Sequence, residues 1–108
     1  MKGSLVVYTL PWTIHKHVGI VIDALEGFHI RKSWSEKRKF INQPMIRVYW
    51  LNEPVAKPMS ARRRILENSK YDKILGLANS NNLLIDEFTD NNWEEEWYFP
   101  DEFEIVRE

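Results

Sequence analysis

The chain reads as an α+β domain, a small antiparallel sheet of four to five strands with two to three helices on one side, and three observations predict it. Apolar, β-branched and aromatic runs bounded by Pro, Gly and Asn fill the first half. Helix-start signals come only from Ser60 onward. With 108 residues and 44% apolar content there is material for one two-layer core and not for two. Strands first and helices late is the α+β pattern, not the alternation of βαβ units.

Leu5 to Leu10 is a strand that Pro11 ends, and Trp12 to Lys16 connects it to the next. His17 to Ile22, H-V-G-I-V-I, is apolar almost throughout, which predicts a strand covered on both faces. Asp23 to Gly27 turns the chain and Phe28 to Trp34 returns as a third strand, so the two runs read as one hairpin. Ser35 to Lys39 is a charged loop, and Met45 to Leu51 is the fourth and most aromatic strand. N-E-P-V-A-K-P crosses over as a Pro-punctuated loop.

Ser60 stands at an N-cap position before the short helix A-R-R-R-I-L-E-N-S-K, whose apolar face is Ile65 and Leu66, and Tyr71 to Leu77 is helical. A further helix is expected to start with Asn79 or Ser80 as N-cap, with Leu84 and Phe88 four apart and Asp86 and Glu87 inside it. An acidic, aromatic segment, 91–108, leads to a last strand at Phe103 to Val106. No repeat or linker divides the sequence, so residues 1–108 are expected to form a single domain.

The chain has no cysteine, hence no disulfide framework and no thiol nucleophile. The N-terminus lacks the pattern of a signal peptide, and no apolar run reaches the ~18 residues of a membrane span. A soluble, cytoplasmic protein is expected. The net charge of −1 conceals an asymmetry: residues 1–73 hold 14 Lys/Arg against 6 Asp/Glu, and residues 74–108 hold Arg107 against 10 Asp/Glu. The favoured reading packs the acidic segment near the basic part or leaves it solvated; the sharper one docks it on a basic partner.

Two of the three histidines, His17 and His29, bracket the expected hairpin. An interval of twelve is even, which is compatible with opposed residues on one face, provided the register brings them together. In contact, one imidazole could act as general base while the other holds its tautomer. The alternative is two ordinary histidines.

The runs K-G-S-L-V-V-Y, K-H-V-G-I-V-I-D and G-F-H-I together resemble the NlpC/P60 papain-like superfamily, in which an H-V-G-I-Y strand carries the catalytic histidine and a second polar residue follows about a dozen positions later. Only sixteen residues precede His17, so the resemblance is to the circularly permuted branch, similar to lecithin retinol acyltransferase, whose cysteine lies downstream in an N-C-E-H-F type motif. Here A-R-R-R-I-L-E-N-S-K-Y-D-K-I-L-G-L-A-N-S-N-N-L-L is similar in order and spacing, with Asn79-Ser80 where Asn-Cys would stand. The match covers about three quarters of the chain and lacks the cysteine.

The resemblance implies acyl or amide transfer through a covalent intermediate, with Ser80 at the nucleophile position, His17 as base and His29 as orienter, no cofactor, and a small acyl or peptide-like substrate. A helix N-terminus stabilises a thiolate, whereas a serine there needs genuine proton abstraction. Ser80 is therefore a working nucleophile, a replacement for a catalytic cysteine, or a plain N-cap in a domain that has lost catalysis. The rival reading is a catalytically silent binding or inhibitor protein that captures a protein partner through its acidic aromatic segment.

Other clusters carry less. His15, His17 and His29 could offer three nitrogens to zinc, although an exposed His15 before the strand is the favoured reading and no metal is expected. Arg62, Arg63 and Arg64 could meet phosphates, but such a run is more often the solvated face of a short helix, and no nucleic acid is expected. Trp93, Trp97, Tyr98 and Phe99 could anchor a partner; the favoured reading has them covering the sheet and finishing the core.

Overall fold

A computed structural model describes residues 2–9, 12, 16–52, 57–78, 83–88 and 97–106. The described residues form two antiparallel sheets and two short α-helices, an α+β arrangement. Strands β1 (Leu5–Thr9), β2 (Lys16–Leu25), β3 (Phe28–Arg31), β4 (Lys39–Ile41) and β5 (Met45–Trp50) come first. Helices α1 (Ala61–Glu67) and α2 (Ser69–Leu75) follow, then β6 (Leu84–Ile85), a 3-10 turn at Asp86–Phe88, β7 (Trp97–Tyr98), a second 3-10 turn at Pro100–Glu102, and β8 (Glu104–Val106). The larger sheet has the order β7-β5-β2-β1-β8 and the smaller the order β4-β3-β6.

The two sheets share one long ribbon. One arm is β2 followed by β3, the other β4 followed by β5, and the turn between them is 32–38. Partner numbers add to 69 from Gly19↔Trp50 to Val21↔Val48, to 70 from Asp23↔Arg47 to Leu25↔Met45, and to 69 again from Phe28↔Ile41 to Ile30↔Lys39. The first step is a β-bulge at Ile22. The second is a corner, where residues 26–27 on one arm face 42–44 on the other. At that corner a Cβ on Gly27 would collide with the Ile41 carbonyl oxygen and the Phe40 ring, so only glycine lets the arms stay this close.

This ribbon corrects the expected hairpin. β2 pairs with β1 and β5, and β3 pairs with β4 and β6, so the runs containing His17 and His29 are successive parts of one arm. β3 also stops at Arg31, short of Trp34. The missed element is β4, three residues inside a charged stretch, whose pairing draws β3 away from β2.

The helix expected to run through Asp86 and Glu87 is likewise corrected. Leu84–Ile85 is a strand beside Arg31 and Ile30, and 86–88 is a single 3-10 turn. Leu83 and Ile85 are buried with Leu84 between them less so, an alternation of period two that burial favours over the i, i+4 spacing of Leu84 and Phe88. Asn79 and Ser80 lie outside the described residues.

Other expectations match. Ser60 caps α1, its hydroxyl accepting from the Arg63 N–H at 3.3 Å, and α2 ends at Gly76 in the left-handed conformation at φ 67°. One buried cluster joins Phe28, Ile30 and Met45 of the ribbon to Ala61, Ile65 and Tyr71 of the helices, with Trp97 and Phe99. The second lies under the larger sheet around Val6, Val21, Ile46, Val48 and Tyr98. Trp97, Tyr98 and Phe99 thus finish the core, as the favoured reading had it, while Trp93 lies outside the described residues. Arg64 pairs with Asp101 at 2.6 Å and Glu102 at 3.2 Å, which brings part of the acidic segment onto the basic part of the chain.

A candidate acid–base site at His29

The alternation of β3 decides which side chains are available for chemistry. Phe28 and Ile30 are fully buried against the helices, so His29 and Arg31 project from the opposite face of the small sheet. β6 pairs with β3 only at Ile30 and Arg31, which leaves the His29 N–H beyond the end of that ladder. The 3-10 turn that follows β6 brings Asp86 and Glu87 back over this edge.

Glu87 satisfies His29 twice. One carboxylate oxygen accepts the backbone N–H of His29 at 2.6 Å, and the other lies 2.8 Å from the imidazole Nδ1. An ionised carboxylate only accepts, so Nδ1 is the donor and the neutral ring carries its lone pair on Nε2. The pair is partly shielded, with side-chain exposures of 30% for His29 and 17% for Glu87, and the Phe40 ring packs beside the imidazole at 5.0 Å between centroids. Next to it Asp86 holds Arg31 at 3.0 Å and Arg38 at 3.5 Å, and the Arg31 guanidinium lies over Trp34 at 4.5 Å. A base with a fixed tautomer and a carboxylate behind it is therefore built from two short stretches, 29–40 and 86–87.

His17 is placed differently. It sits on β2 opposite Tyr8, half-buried, with Nε2 enclosed and without a hydrogen-bond partner among the described residues. Strands rise about 3.3 Å per residue, so eight steps to Leu25 and four more beyond the corner separate the two imidazoles by on the order of 25 Å. They neither touch nor share a metal ion. His15 and Ser80 lie outside the described residues, and among the described residues no group of three or more His, Asp or Glu is arranged to hold a metal.

Glu87 and Asp86 are the site residues that sequence reasoning left without a role. The available signal was the D-E pair directly after the apolar run L-L-I, but reading it as helical pointed the carboxylates elsewhere. The Arg62–Arg64 run is largely engaged: Arg63 pairs with Glu67 at 3.1 Å, Arg64 with the acidic segment and the Phe99 ring, and Arg62 lines a groove of about 100 Å³ with Trp34, Leu66 and Phe88. No helix among the described residues is long and apolar enough to cross a membrane. Comparison with protein-family models, with curated proteins and with solved structures finds no match for the chain.

Proposed function

We propose that this domain is a hydrolase or acyltransferase of papain-like chemistry in which His29 is the general base, Glu87 its orienter and residue 80 the nucleophile. One observation carries the reading: Glu87 holds both the backbone and the Nδ1 of His29, the base–orienter half of a nucleophilic triad. From the sequence side, the resemblance of A-N-S-N-N to the permuted NlpC/P60 pattern supports only the nucleophile position, since that pattern makes His17 the base and His29 the orienter. The base role moves from His17 to His29, because among the described residues no carboxylate pairs with His17.

In this mechanism His29 Nε2 takes the hydroxyl proton of residue 80 as its oxygen attacks the acyl carbonyl. The imidazolium, stabilised by Glu87, then protonates the leaving alcohol or amine. Water or an acceptor alcohol repeats the sequence in reverse and frees the acyl group. The substrate class is a small acyl ester or amide.

The test is turnover of p-nitrophenyl acetate by the wild type, His29→Asn, Glu87→Gln, His17→Asn, Ser80→Ala and Ser80→Cys. The reading expects loss of turnover in His29→Asn and Ser80→Ala, a fall of roughly 10–10²-fold in Glu87→Gln, an unchanged His17→Asn and a faster Ser80→Cys. If neither the wild type nor Ser80→Cys exceeds buffer, the domain is catalytically silent, and if His29→Asn retains full rate, His29 is not the base.

A further inference from the structure

β2 is apolar on both faces, yet among the described residues only one of them is sealed. Val6, Val21 and Val48 face the buried cluster under the larger sheet. On the other side two register rows run across four strands. The first is Val106, Leu5, Ile20, Tyr49 and the second is Glu104, Val7, Val18, Leu51. Toward Met45 and Trp97 the same side belongs to the helix-packed cluster, but none of these eight residues is in either cluster. Tyr49 is 61% exposed, Leu51 50% and Val106 39%. An antiparallel sheet with a solvated face alternates apolar and polar residues, and this sheet does not.

We propose that this face packs on the same face of a second copy of the chain, as a two-layer sandwich about a two-fold axis parallel to the strands. The rows argue for a second copy because they are complementary to themselves. Such an axis lays β5 over the partner's β8 and β2 over the partner's β1. Bulky Tyr49 then meets small Val106, and Ile20 meets Leu5, all within one row. Lys16 projects from the same face at its β2 end and Glu104 from its β8 edge, both exposed. The axis brings these opposite charges from different copies to one rim.

The two rows measure about 19 by 13 Å, from four strands spaced about 4.8 Å and four residues rising about 3.3 Å each. That is smaller than a standard specific interface, so the dimer is a weak one that populates only toward the high end of the micromolar range. This inference is independent of the chemistry at His29.

Sedimentation equilibrium of the full chain from 5 to 500 μM tests it. A monomer–dimer equilibrium is expected, with association weakened at least tenfold by Tyr49→Lys or Leu51→Lys, exposed positions where the fold survives. The chain has no cysteine among its residues, so Tyr49→Cys/Val106→Cys in one chain should give an intermolecular disulfide on oxidation, and either single variant should not. A monomer at 500 μM, or a dimer indifferent to both lysine variants, overturns the proposal and leaves the face to a different partner.

Discussion

His17 and His29 lie on the same arm of one ribbon, in strands of similar composition, and end in opposite chemical situations. His17 sits in the larger sheet with a ring nitrogen unpaired among the described residues, whereas His29 stands at the edge of the smaller sheet with a carboxylate on its Nδ1. The difference comes from neighbours. β2 is flanked on both sides by full strands, while β3 is flanked by a two-residue strand that runs out and lets a turn supply side chains in place of backbone. A histidine gains a carboxylate partner where a ladder ends.

The largest way to break this contrast is to remove what anchors the small sheet. Phe28→Ala deletes a fully buried ring packed against Tyr71 and Phe99, and should cost about 3–5 kcal/mol in urea denaturation. The corner comes next. Gly27→Ala forces the arms apart at Phe40 and Ile41 and should cost about 1–3 kcal/mol, with loss of protection from hydrogen exchange concentrated in 28–31 and 39–41.

Glu87→Gln keeps the shape of the clamp but removes its charge, and should cost about 1–2 kcal/mol, with Asn at 29 and Gln at 87 non-additive in a double-mutant cycle. The helix side of the small sheet gives a pH handle. Burial raises the Tyr71 phenol above its ordinary value, an effect that Arg64 partly opposes, and the phenol donates to the Gln43 Oε1 at 2.8 Å. The unfolded chain therefore loses this proton first. Stability is fully present below about pH 10 and falls as pH rises beyond it, and Tyr71→Phe should flatten that fall in thermal melts from pH 9 to 11. The smallest effect is at the other histidine. His17→Leu removes an enclosed, unpaired nitrogen, and should change the unfolding free energy by less than about 0.5 kcal/mol or raise it.

The sequence showed strands and helices wherever a run was long enough to have a period. Leu5 to Leu10, Met45 to Leu51, the Ser60 cap and the final strand at Phe103 to Val106 all lie within a residue or two of their structural bounds. What it hid was short. β4 is three residues and β6 two, below the length at which alternation differs from chance, and their pairing decides that β3 leaves β2. While its spacing from His17 was not informative, His29 was legible as a candidate from its residue type. Glu87 was not, because its role depends on a turn that only tertiary pairing creates. Pairing His17 with His29 failed for the same reason: an even interval fixes a face, and does not fix which strand lies across.

The bulge at Ile22 and the extra residue of the 42–44 corner sit on opposite arms of the ribbon. A strand has only two phases, and each of these insertions switches one for the other. Between them, over the three pairs from Asp23 to Leu25, the ribbon runs out of step with both of its ends; beyond the corner it is in step again. The chain thus behaves like a code with two compensating frameshifts. Loss of either residue alone would leave the pairs from Phe28 to Ile30 one step out of register with those from Gly19 to Val21, while loss of both would keep the two ends in step on a ribbon one residue shorter in each arm.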